Sequence, residues 1–264
     1  MTSFRSPISA VLLSALAVAP MAGLAHDTWL LPLRDAGTTA TFELTSGMAY
    51  PKADYSIPGD RIATRGCRVA AATCELSTGK SGEHALQLSA VMDRDAAGVA
   101  WIDLAPKTLS LDADSVDEYL AEIDPPPSVR VAYMAQSEPR HWRETYVKHT
   151  KALTGLAGTA PTTWSTPVGS ELEITPVAGT RLLKDSSARF QVLSGGKPLG
   201  DFAIGVVGGP NAKPRLLRTD GNGEVAIRID GAGYWMLRVT QLTPSKVKDI
   251  DWDSHFATLT FDVR

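Results

Sequence analysis

The sequence predicts a mainly β protein of two immunoglobulin-like β-sandwich domains, the first with short helical insertions. Three observations lead there. Short runs rich in β-branched and aromatic residues recur along the chain, Gly, Pro, Asp and Ser separate them, and several alternate apolar with polar side chains. Leu86, Leu88 and Ala90 alternate with Gln87 and Ser89, the period of a strand with one buried face.

The first 25 residues stand apart from this pattern. Arg5 precedes an apolar stretch over residues 8–19, then Pro20 and the small-residue segment ending in Gly23-Leu24-Ala25, the layout of a cleavable secretion signal. A stretch of about a dozen apolar residues is shorter than the roughly 20 needed to span a bilayer. Cleavage after Ala25 would free the α-amine of His26 and deliver the mature chain to the periplasm, with no stable membrane insertion after cleavage. Residues 26–264 carry 25 basic and 29 acidic side chains, a net charge of −4 with histidine neutral. That mild acidic balance argues against nucleic acid as a partner.

Residues 26–154 read as an N-terminal β-rich domain with helices, with strands expected near 28–31, 40–44 and 99–104. Cys67 and Cys74 are the only cysteines, seven apart, and in an exported chain they are expected to form a disulfide. Ser115 and Glu118 have capping-box spacing and open a short helix over 115–123, which Pro125-Pro126-Pro127 stops. A second helix is expected over 139–153, where Trp142, Tyr146 and Leu153 fall near one face and Pro139 suits a first turn. Residues 155–168 are small and proline-punctuated, a linker. Alternating runs resume over 169–264 between glycine-rich turns, the second immunoglobulin-like domain.

Five histidines are the main source of candidate chemistry. A mature N-terminal His26 offers two nitrogens from one residue, its α-amine and imidazole Nδ1, a chelate suited to Ni, Co, Cu or Zn rather than Mg or Ca. His255, beside Asp251 and Asp253, is the favoured third nitrogen. His84 reads as a hairpin residue. His141 and His149, eight apart on the expected helix, would be separated by about 12 Å of rise, too far to share an ion. Asp220-Gly-Asn-Gly-Glu224 reads as a tight turn, since it lacks the remaining ligands of a calcium loop. The chain carries no Gly-x-Ser-x-Gly elbow, phosphate loop, dinucleotide glycine pattern or His-Glu-x-x-His helix, and an enzyme is not expected.

The junction around Leu24-Ala25-His26-Asp27-Thr28-Trp29, the segment from Glu144 to Leu153, Gly196-Lys-Pro-Leu199, Thr219-Asp-Gly-Asn-Gly-Glu224, Gly233-Tyr-Trp-Met-Leu237 and the terminal Ser254-His-Phe-Ala-Thr-Leu-Thr-Phe261 together resemble a known family. This is the exported domain-of-unknown-function family often described as the periplasmic component of cobalt or nickel uptake systems (NikK-like). The resemblance spans the mature chain. It implies a β-rich protein that handles a divalent transition metal outside the inner membrane, with an inner-membrane metal transporter as partner. It also implies His26 and His255 as ligands, with Asp27 at the acidic position that follows the histidine. Two other classes fit the same residues: a copper-binding histidine-brace protein, chaperone or oxidative enzyme, and a metal-free periplasmic adaptor.

Overall fold

A computed structural model describes residues 26–34, 37–92, 96–155, 162–209 and 214–264. The expected signal, residues 1–25, and residues 156–161 of the expected linker lie outside the described residues.

The first half contains β1 (Asp27–Pro32), β2 (Thr39–Gly47), β3 (Tyr55–Ser56), a 3-10 turn over Gly59–Arg61, β4 (Ile62–Val69), β5 (Ala72–Cys74), β6 (Ser77–Ser81) and β7 (Leu86–Val91). It continues through β8 (Gly98–Leu104), β9 (Lys107–Leu111), helices α1 (Ala113–Ile123) and α2 (Pro127–Met134), and the long β10 (Trp142–Thr154). After α3 (Thr162–Ser165) come β11 (Leu172–Pro176), β12 (Ser186–Ser194), β13 (Lys197–Pro198), β14 (Ala203–Gly208) and β15 (Arg215–Arg218). β16 (Glu224–Ile229), β17 (Gly233–Pro244) and β18 (Trp252–Val263) close the chain.

The strands form three sheets, so the protein is mainly β, as its sequence predicts. A five-stranded sheet runs β1-β2-β7-β6 with β3 on β2, and a four-stranded sheet pairs β12 with β11, β13 and β16. Between them a nine-stranded sheet runs β15-β14-β17-β18-β10-β8-β4-β5, with β9 also on β10. The halves meet inside this sheet: β10 pairs in parallel with β18, from Glu144 opposite Trp252 to Ala152 opposite Thr260.

Strand periodicity gives the middle sheet two apolar faces. Ala100, Ile102 and Ala152 turn toward Leu30, Phe42, Leu44 and Leu88 of the five-stranded sheet. Leu153, Leu237, Ala257, Leu259 and Phe261 turn the other way, onto Ile174, Phe190, Val192 and Ile227. On the first face, Trp29, Tyr50, Val207 and Met236 form a smaller cluster. Gly47 ends β2 under that indole: an added Cβ would lie 2.8 Å from the Trp29 ring and 2.6 Å from the Lys52 carbonyl oxygen.

The helix expected over 139–153 is instead strand β10. Thr145, Val147, Thr150 and Thr154 are β-branched and Trp142 and Tyr146 aromatic, all residues that fit a pleated surface better than a helix. The helical spacing of Trp142, Tyr146 and Leu153 is a coincidence within a strand that has neighbours on both edges. The first expected helix is present, but begins earlier: Asp112 is the N-cap, its carboxylate accepting from the Ser115 amide at 2.8 Å. The prolines that stop it also start α2, which has Pro127 in its first turn, where the missing N–H costs nothing.

Helix α1 is fixed to the sheet by a buried carboxylate. Glu144 accepts from Trp142 Nε1 at 2.7 Å, from the Tyr119 hydroxyl at 3.2 Å and from the Ser254 hydroxyl. Burial pushes its carboxyl above the usual range, against the opposing pull of those donors. Glu144→Ala would strand three buried donors and should destabilise the fold by on the order of 3 kcal/mol in urea denaturation.

The expected disulfide joins Cys67 and Cys74, which face each other across the β4–β5 pair with Cα atoms 5.0 Å apart. By the loop-entropy model, replacing both cysteines with alanine should cost about 2–3 kcal/mol. Equal urea midpoints for the variant and the oxidised protein would contradict that contribution.

Candidate functional site

A cavity of ≈ 620 Å³ opens where the edge of β1 meets β9, β10 and the turn before β4, within the size range of small-molecule sites. His26 lies on its wall, as do Tyr55, Ile57, Arg61 and Lys107. Leu104, Leu109, Leu111 and Phe256 supply much of the apolar lining, and Tyr146 and Lys148 reach it from β10.

The placement of these groups follows from strand parity. On β10, Glu144, Tyr146 and Lys148 share one face, while Val147, His149 and Lys151 share the other. The Lys148 ammonium donates to the His26 carbonyl oxygen at 2.6 Å and to the Thr28 hydroxyl at 3.0 Å, fixing the start of β1. It lies 5.7 Å from each of the Tyr146 and Phe256 ring centroids. The Tyr55 ring meets the His26 imidazole edge-on, with centroids 5.1 Å apart. Burial lowers the Lys148 amine to about 8; Asp27 opposes that shift, and the positive charges of Arg61 and Lys107 reinforce it.

Asp27 points away from this cavity. Its carboxylate accepts from Arg238 at 2.7 Å, and the same guanidinium donates to Glu122 at 2.6 Å. Burial raises the Asp27 carboxyl more than Arg238 lowers it. The residue after His26 is therefore held in an ion cluster that ties β1 to α1 and β17.

The structure does not bring His255 to His26. Thr258 and Thr260 of β18 donate to the Thr28 and Leu30 carbonyls, so the even positions of β18 face β1. His255 lies at an odd position, with Ala257, Leu259 and Phe261. Its cross-strand neighbour Gln241 accepts from Ser194 of β12, on the far side of the middle sheet. The sheet backbone thus separates the two histidines expected to share an ion.

The partner of His255 is His149. Asp103 accepts from His149 Nδ1 at 2.7 Å, which leaves Nε2 of a neutral ring as an acceptor 3.0 Å from His255 Nδ1. Thr64 and Ser170 also donate to Asp103. Burial acts to raise the Asp103 carboxyl, but the hydrogen bonds outweigh it and hold it below the usual range. Burial, then the neighbouring His149, lowers the His255 imidazole. The helical reading of β10 hid this pair, since residues 149 and 255 become neighbours only through the parallel strand pairing.

The other candidates sit elsewhere. His84 is exposed beside the Asp54 carbonyl, and His141 is exposed beside Asp251. Asp220 accepts from the Asn222 and Glu224 amides, closing a tight turn. Among the described residues, no three His, Cys, Asp or Glu side chains converge on a point suited to a metal.

These features define a layered β protein with a mixed polar and apolar cavity of ≈ 620 Å³ beside β1. Residues 24–243 match the family described as "Domain of unknown function (DUF4198)", and the chain belongs to that family. No curated protein matches the sequence.

Sequence reasoning missed Lys148, Arg61 and Tyr146. Lys148 carried a usable signal: once 142–154 is read as a strand, Glu144, Tyr146 and Lys148 fall on one face as a polar row in an otherwise buried element. Because folding lowers the Lys148 amine to about 8 from 10.5, the unfolded chain binds more protons between those values, and stability rises with pH there. Wild type should therefore gain stability relative to Lys148→Met as pH rises from 8 to 10.5. Parallel urea stability curves for the two proteins would contradict it.

Proposed function

We propose that the mature chain is an exported, non-enzymatic protein that binds a late first-row divalent ion, nickel, cobalt or copper, through the His26 α-amine and imidazole. The observation that carries this reading is the position of His26. The residue expected to begin the mature chain stands on the wall of the ≈ 620 Å³ cavity, its carbonyl held by Lys148 and its ring against Tyr55. Amine and imidazole nitrogens are the donor set late first-row ions prefer. With His255 on the opposite face, the remaining coordination positions fall to water or to a molecule in the cavity. The likeness to NikK-like proteins supports nickel or cobalt uptake as the setting, with an inner-membrane transporter as partner.

A second reading rests on His149 and His255. Their facing nitrogens are 3.0 Å apart. Two cis ligands at the usual metal–nitrogen distance of about 2.1 Å would be separated by about that much. Asp103 behind His149 is also the carboxylate that commonly orients a metal-bound imidazole. In this reading the ion replaces the proton shared by the two rings.

Isothermal titration with Ni²⁺, Co²⁺ and Cu²⁺ separates the readings. An extra residue before His26 converts the amine to an amide, a poor ligand, while every side chain remains. On the first reading, a Met-extended protein and His26→Ala should each lose at least about tenfold in affinity, equal to about 1.4 kcal/mol, while His255→Ala changes little. Equal affinity in processed and extended proteins, with loss in His255→Ala, moves the ion to the histidine pair. No binding in any form favours a metal-free adaptor, and a marked preference for Cu²⁺ favours a copper-brace protein.

A further inference from the structure

The wall of the His26 cavity carries an excess of positive charge. Arg61, Lys107 and Lys148 line it, with Asp60 as its one carboxylate. Nor are these cations neutralised by the protein: among the described residues, none of the three makes an ion pair. Arg61 gives one guanidinium nitrogen to the Ala105 carbonyl at 2.8 Å and also hydrogen-bonds the Tyr146 side chain, while its Nε is buried with no partner among the described residues. Lys148 uses two of its three N–H bonds on neutral oxygens, those of His26 and Thr28. Asp27 and Glu144 attract Lys148 without pairing with it; partly buried cations that lack an ion-paired partner are costly to hold, and an anion entering the cavity would recover part of that cost.

The remaining wall is suited to a hydrocarbon body rather than a bare inorganic ion. Leu104, Leu109, Leu111 and Phe256 make most of it apolar, and a volume of ≈ 620 Å³ far exceeds what phosphate or sulfate would fill. The Tyr146 and Phe256 rings lie side by side near the Lys148 ammonium and extend the apolar wall up to it.

We propose that this cavity is a binding site for a small organic carboxylate with an apolar body, its charged end on Lys148 and Arg61 and its body against Leu109, Leu111 and Phe256. Lys107 contributes attraction from the rim. The inference goes beyond the metal reading and does not rest on it, since the cations, the apolar wall and the volume are present without any ion. If both hold, the carboxylate is placed to supply oxygen ligands to an ion on His26.

The test uses the full mature chain, freed of metal by EDTA and dialysis, so that its outcome is independent of metal binding. Phenylacetate is the probe and phenylacetamide its neutral isostere, both followed by isothermal titration. Phenylacetate should bind at least about tenfold more tightly than the amide, the expected gain from a charge-assisted contact. Lys148→Met and Arg61→Gln should each abolish that preference. Should either variant fail to fold, Lys107→Gln, at an exposed position, should still reduce the preference by about threefold, since each charge adds to the local potential. Equal affinity for acid and amide would overturn the carboxylate assignment. So would a lack of detectable phenylacetate binding at about 1 mM, or an unchanged preference in folded Lys148→Met. A positive result here together with no metal binding would retain the cavity and discard the His26 chelate.

Discussion

The parallel pairing of β10 with β18 is the constraint from which the rest of the molecule follows. Parallel neighbours need a long crossover, and here the crossover is most of the second half of the chain, so the pairing unites residues about a hundred positions apart in sequence. Because β10 lies inside the middle sheet, both its faces are covered and every side chain on it must be satisfied. Lys148 and Glu144 find partners on one face, His149 and Lys151 on the other. Lys151 and Glu173 form a buried pair at 2.5 Å, and Glu173 also accepts from the Val168 and Gly169 amides. Breaking one partner of such a pair leaves a buried charge, so the contact fixes the path of the chain where it enters β11.

That setting also explains what was legible in the sequence. Half-buried strands such as β7 announce themselves, because Leu86, Leu88 and Ala90 face a core while Gln87 stays in water. The disulfide was legible because two cysteines in a chain expected to be exported leave one simple choice. β10 was not, since a central strand with polar groups buried on both faces has no clean apolar-polar alternation. The spacing of Trp142, Tyr146 and Leu153 fits a helix, and a helical reading misplaces His149 along with it. The prolines at 125–127 follow the end of the first helix, as expected, but the same residue type also begins α2, which the sequence pattern did not announce.

Of the candidate site, His26 was legible because the expected cleavage point singles it out. The cationic wall was not. Arg61, Lys107 and Lys148 are scattered through the sequence and carry no common motif; only the fold collects them. His255 was singled out for its neighbours Asp251 and Asp253. The first is occupied with His141 and the Arg143 amide, and the second accepts from Ser245. Parity along β18, invisible until the strand is placed in its sheet, decides which side His255 serves.

The seat of β1 has a consequence for the order in which the molecule is built. Its carbonyls are held by Thr258 and Thr260 and its leading acid by Arg238, all near the opposite end of the chain. Phe256 of that last strand also forms part of the cavity wall. β1 thus cannot take its place until β18 has formed, a closure across about 230 residues and correspondingly slow. During that interval the apolar β1 has no partner from β18, and the cavity lacks the Phe256 part of its wall. Formation of the cavity is in this way coupled to the arrival of β18: a chain broken anywhere between β1 and β18 loses that strand and, with it, the docking of β1.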